Sequence, residues 1–229
     1  MMQKWEKVMQ GLLHPLISLL ISSRGAKQLW ILIYHRVLPT LDAMRPDEPD
    51  TARFSWQMEL LKRYFNVLPL SEAVKRLRER TLPLRAASIT FDDGYADNIE
   101  VALPILKKLG IPATFFIATS YLDGGCMWND KVIETLHRMP DGDLDLTKEG
   151  LEIYSLSNTA DRLAVIEKVL LGLKYLPHEE REQRAEELAQ RCQDPLPDNL
   201  MMTSNQVYQL HQAGMEVGAH THLILFWHC

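Results

Sequence analysis

The chain has 229 residues, of which 46% are hydrophobic and 24% charged, enough to build one ordinary globular core. A net charge of −5 with no Lys/Arg run argues against a nucleic-acid surface. Cys126, Cys192 and Cys229 are an odd number without zinc-type spacing, which argues against a disulfide framework. No internal repeat or low-complexity tract is present.

Residues 1–27 read as an N-terminal helical segment. Lys4 and Lys7 precede an apolar stretch, Gly11–Ile21, broken by His14 and Pro15 and shorter than the roughly 20 residues a membrane-spanning helix needs. The outline suits a signal peptide, but Ser22-Ser23-Arg24 is a poor cleavage site. The expectation is an uncleaved amphipathic helix, packed on the domain or making a peripheral membrane contact, in a cytoplasmic or cell-envelope protein.

Leu29–Tyr34 is a short apolar run that predicts a buried strand ending at His35, a position where a histidine is often a satisfied core residue. A proline-bearing loop, Pro39 to Pro49, leads to a helix over Phe54–Phe65 with Trp56, Leu60 and Leu61 on one face. Asn66–Leu70 predicts a short strand, and Ser71 a cap for a solvated basic helix over Glu72–Arg80.

The densest signal is AASITFDDGYADN, Ala86–Asn98. Ala86 to Phe91 predicts another buried strand, and Gly94 the turn that ends it. Asp92 and Asp93 at its mouth repel each other and lose solvation. A cation would relieve both costs, with one carboxylate as ligand and the other free to act as a base. The same pair also suits a helix cap.

T-F-D-D-G after an apolar strand resembles the first motif of the polysaccharide deacetylase family, and the continuation ALPILKKLGIPATFFI is similar to that family as well. The resemblance implies an enzyme that removes N-acetyl groups from amino-sugar polysaccharide with a divalent metal, with zinc expected. Carried over, Asp92 is the catalytic base and Asp93 a metal ligand. Tyr34-His35-Arg36-Val37 resembles the family's opening strand, implying a supporting place for His35 near the site.

Ile99–Leu109 predicts a helix kinked at Pro104 and ended by Gly110, and Ala113–Ala118 a further strand. Strand, helix and strand joined by short links predict parallel β/α units, whose ligand sites lie at the C-terminal strand ends. Trp128, before a helix over Lys131–His137, resembles an aromatic that many members of that family carry near the site, and it reads equally as a core anchor at a helix start. Residues from about 139 to 200 read as a helical insertion: an extended excursion over Leu144–Leu156, then amphipathic helices over Thr159–Leu173 and Glu179–Cys192 whose charges face solvent.

Ser204 is expected to cap a helix through Ala213, and Met215–Ala219 to form a strand delivering His220, Thr221 and His222. M-E-V-G-A-H-T resembles the family's second motif, in which two histidines bind the metal. His220 matches the first of them. The second position is Ile224, so the expected ligand set is Asp93, His220 and His222, with His228 the other candidate. The Leu223–Trp227 tail reads as unlike the family, and residues 28–229 as a deacetylase-like domain truncated after its second motif, with impaired activity.

The expected fold class is α/β, an incomplete, deformed (β/α) barrel of parallel strands. Two other functions remain open: an inactive or partner-dependent fragment of that fold, and an Asp-pair phosphotransfer domain.

Overall fold

The computed structural model describes residues 28–147 and 152–220. The N-terminal segment 1–27, Thr221, His222, Ile224, His228 and the rest of the C-terminal tail lie outside the described residues.

The centre is a parallel sheet. β1 (Leu29–Tyr34) and β3 (Ala86–Phe91) pair along their full lengths, Leu29 opposite Ala86 and Tyr34 opposite Phe91. The other side of β3 takes β2 (Asn66–Val67) at its start and β4 (Thr114–Ile117) at its end, and β7 (Glu216–Ala219) pairs with β4. Among the described residues the sheet is open, with β1 and β7 at its edges. Every residue of β3 is buried, as expected for a central parallel strand covered on both faces.

Helices α1 (Thr51–Tyr64), α2 (Leu70–Arg78), α3 (Leu103–Leu109) and α7 (Ser204–Gln212) flank the strands. The main core joins Phe54, Met58 and Leu61 of α1 to Ile89, Phe91, Leu106, Phe115 and Leu210. Phe91 and Phe115 stack with ring centroids 4.7 Å apart. Within α1, Trp56, expected on one face with Leu60 and Leu61, is 58% exposed whereas Leu61 is buried, so those three do not make up the buried face. Phe54, Met58 and Leu61 hold that face at helical spacing instead.

Pro104 leaves its predicted mark. Asn98–Ala102 is a turn of π-helix, α3 begins immediately after it with Pro104 in its first turn, and Gly110 ends α3 in the left-handed conformation. Two caps differ from expectation. Pro69 is the N-cap of α2, whereas Ser71 donates its hydroxyl to Glu216 of β7. Thr203, not Ser204, caps α7 in a reciprocal capping box with Gln206.

Between α4 (Trp128–Arg138) and α7 the chain leaves the sheet. It forms an antiparallel pair, β5 (Asp143–Asp145) with β6 (Ile153–Ser155), then α5 (Thr159–Lys174) and α6 (His178–Ala189). These elements share a second core with α4, built on Trp128, Leu136, Leu146, Val165, Val169 and Leu188. The expectation that all charges here face solvent fails at Arg162 and Arg181, both buried. Arg162 donates to the carbonyls of Leu136 and Leu156 and to Asp141 at 2.7 Å, tying α5 to α4 and to the hairpin.

Candidate functional site

The C-terminal ends of β1, β3, β4 and β7 lie side by side and deliver His35, Asp92–Asp93, Thr119 and His220 to one face of the molecule. β3 stops at Phe91. The Asp92 N–H donates to the Tyr34 carbonyl, and the Gly94 N–H turns back to the Asp92 carbonyl at 3.0 Å. Asp93, at the centre of that three-residue turn, has φ 74°, and Gly94 follows at φ 90°. This is the γ-turn pattern, rare and strained for a side chain bearing a Cβ. A Cβ on Gly94 would stand 3.2 Å from an Ile117 side-chain carbon, a tight contact added to the positive φ that favours glycine there.

Neighbouring chain holds the strained turn on both sides. The Asp93 carbonyl accepts from Ala118 N–H at the end of β4, Gly94 carbonyl accepts from Met202 N–H, and Ala96 N–H donates to Leu200. Asp93 Oδ1 lies 3.6 Å from His220 Nε2 at the end of β7. That is beyond hydrogen-bond range. It matches two donors of one tetrahedral zinc, which at about 2.1 Å each would be about 3.4 Å apart. A carboxylate and an imidazole also form a donor set suited to such a metal. Among the described residues no group of three His, Cys, Asp or Glu side chains could hold a metal, so this pair stands with two donors.

Asp93 and His220 line a cleft of about 620 Å³ together with His35, Glu48, Tyr95 and Trp128. Burial pushes the Asp93 carboxyl above the ordinary carboxylate range, His35 and His220 pull it back, and Asp92 and Asp130 push it up again. Asp92, half-buried, is not among the lining residues. Trp128 is buried at the start of α4, where it anchors the second core, and it also lines the cleft. The far wall comes from α5, through Glu167, Leu170, Leu171 and Lys174 at helical spacing. Nothing in the sequence of that segment marked it as part of a site.

Sequence reasoning also missed the ionic network beneath the strand ends. Arg36 Nε donates to Asp97 at 2.8 Å, and its guanidinium lies 4.7 Å from the centre of the Tyr95 ring. Tyr95 donates its hydroxyl to Asp130 at 2.9 Å. Asp130 also accepts from Arg45 at 3.1 Å, and the same Arg45 nitrogen donates to Glu134 at 2.7 Å. Burial pushes Asp97 and Asp130 upward, and the arginines oppose it. The network fixes Tyr95, the residue after the turn glycine, to both β1 and α4. A buried charged pair needs its partner, but these partners are 61 and 85 residues apart, out of reach of any local pattern.

A profile of the polysaccharide deacetylase family matches residues 79–226, more than half of the chain. The match runs on through 223–226, residues the sequence reading set apart as unlike the family. YxkH of Bacillus subtilis (strain 168), named provisionally as a polysaccharide deacetylase, is 30% identical over 97 residues, 42% of this chain and 34% of that protein. A solved de-N-acetylase from Aggregatibacter actinomycetemcomitans is 21% identical with a TM-score of 0.47, covering 85% of this chain and 55% of that one. IcaB from Ammonifex degensii is 30% identical with a TM-score of 0.39, covering 46% and 47%. The chain thus spans about a third to a half of the length of these relatives.

Proposed function

We infer the function of this chain from the fact that it belongs to the polysaccharide deacetylase family: metal-dependent hydrolysis of N-acetyl groups on an amino-sugar polysaccharide. The observation that supports this reading most is the pair Asp93 and His220, delivered by the ends of two parallel strands to within 3.6 Å of each other.

In this reading Asp93 and His220 hold a divalent cation, zinc for preference, and His222 supplies the third donor. A cation bound there would polarise the acetyl carbonyl and make water a better nucleophile. Asp92 accepts the proton of the attacking water. Asp92 and Asp93 are adjacent at the end of β3, and in this reading they divide the two roles between them. Tyr95 and Trp128, held by buried contacts, keep the cleft wall fixed around the acetyl group.

Acetate release from an N-acetylglucosamine oligomer tests the reading, with the full chain and its Asp92→Asn variant compared under added zinc. General-base removal should lower turnover by about 10²–10⁴-fold with the zinc affinity unchanged. Equal loss of zinc and turnover would exchange the roles of Asp92 and Asp93. The Ile224 position, where the resemblance asks for a second imidazole, predicts weak turnover by the unmodified chain. Ile224→His should tighten zinc by about tenfold or more, and an unaltered affinity would remove residue 224 from the site.

A further inference from the structure

Trp128 and the C-terminal half of α5 are two walls of the cleft, and one buried side chain touches both. Arg181, in the first turn of α6, is 2% exposed. Its Cζ lies 5.0 Å from the centre of the Trp128 ring, within cation–π range. Nη1 donates to the carbonyl of Lys174, the last residue of α5, at 3.3 Å, and Nη2 lies 3.5 Å from His178 Nδ1. Trp128 and Lys174 are both lining residues of the cleft, whereas Arg181 is not.

Arginine suits this point for two physical reasons. The last turn of a helix has carbonyls without helical partners and carries the negative end of the helix dipole, so a cation donating there is favoured. The face of an indole attracts a cation as well. A guanidinium meets both demands at once, because its N–H groups lie in its plane while its face stacks. Lysine, with a single ammonium, meets them only in part. A buried charge adds little to stability over a well-packed apolar side chain, so its value here lies in fixing geometry.

α6 is itself latched to the rest of the fold on either side of the cleft wall. Glu182 accepts from the Tyr121 hydroxyl at 3.1 Å, in the turn that follows β4. Lys131 of α4 pairs with Glu186 at 2.9 Å. Arg162 supplies the contrast. It is buried too, but it ties the start of α5 through Leu136, Leu156 and Asp141, none of which lines the cleft.

We propose that Arg181 is a positioning residue for the cleft, holding the Trp128 ring and the end of α5 at the separation that grips the substrate, without touching the substrate itself. The proposal rests on the deacetylase reading and gives the helical insertion a part in substrate binding.

The test compares the full chain with Arg181→Met, Arg181→Lys and Arg162→Met. Acetate release from an N-acetylglucosamine trimer under added zinc gives KM and kcat. Fluorine NMR of 5-fluorotryptophan-labelled chain reports the ring, the Trp128 resonance being the one that Trp128→Phe removes. Arg181→Met should raise KM about three- to tenfold with kcat changed less than about twofold, the pattern of lost uniform binding. It should also shift the Trp128 resonance, and Arg181→Lys should recover part of both effects. Arg162→Met should lower the melting temperature and leave KM and the resonance as they are in the unmodified chain. If Arg181→Met does not fold, Arg181→Lys decides by the same two readouts, because it keeps the charge and loses the stacked fork. An unaltered KM or Trp128 resonance in the Arg181 variants, or an equal rise of KM in Arg162→Met, would overturn the proposal and leave the deacetylase reading standing. No acetate release by the unmodified chain at any zinc concentration would overturn the reading and the proposal together.

Discussion

Asp93 carries two burdens, a backbone with φ 74° and a carboxyl that burial drives toward its neutral form. Backbone strain of this kind costs about 1–3 kcal/mol and persists where function or surrounding structure demands it. Glycine at position 93 would relieve the backbone and delete the carboxylate together. Asp93→Gly should therefore be more stable than Asp93→Ala by about 1 kcal/mol, although both should weaken zinc binding alike. Urea midpoints of the two variants decide it, and equal midpoints would mean that the turn relaxes when the carboxylate is gone. At position 94 the expectation reverses. Gly94→Ala meets both a positive φ and Ile117 at 3.2 Å, and should lower stability by about 1–3 kcal/mol, read as a drop in melting temperature.

At the scale of elements, side-chain clamps join parts of the chain that are distant in sequence. Glu216 of β7 accepts from Ser71 of α2 and from Thr114 of β4, the latter at 2.7 Å. Burial pushes this carboxyl up, but the hydrogen bonds from Ser71, Thr114 and the backbone outweigh it and hold the group below the ordinary glutamate range. The clamp's stability is therefore present above the unfolded value of about 4.3 and is lost as pH falls through the lower folded value. Glu216→Gln should flatten the acid side of the stability profile, and an unchanged profile would show that the clamp carries no net charge term.

The network around Asp130 is the deeper clamp. Asp130→Ala removes the acceptor of the buried Tyr95 hydroxyl and one of the two close carboxylates on Arg45, which keeps Glu134, and should cost about 1–3 kcal/mol by chemical denaturation. A loss below about 1 kcal/mol would mean that water replaces the missing carboxylate.

Much of this arrangement is legible in the sequence, and particular residues explain where it is not. Ala86–Phe91 announces itself because a strand covered on both faces needs no alternation, and Gly94 and Gly110 stand where positive φ is required. The cap of α7 was one residue away from its reading because Thr203 and Ser204 are both good caps. Gln206, three residues after Thr203, was the signal that separates them. Ser71, Arg162 and Arg181 look like surface polar residues until the partner segments arrive, which no local period reveals. The contribution of α5 to the cleft was hidden likewise, because Glu167, Leu170, Leu171 and Lys174 read as an ordinary amphipathic face.

At the scale of the whole molecule, the described strands form a parallel sheet, open among the described residues, whose C-terminal ends line the cleft, and a second helical core on α4 and α5 closes one side of it. Among the described residues no helix is long and apolar enough to cross a membrane. The account depends above all on Asp93 and His220 acting together as ligands of one cation. Zinc affinity, measured by competition with a chromogenic chelator for the full chain, Asp93→Ala and His220→Ala, tests that dependence directly. The account predicts that the unmodified chain binds one equivalent and that each substitution weakens binding by at least about 10–100-fold; unchanged stoichiometry and affinity in both variants would contradict it.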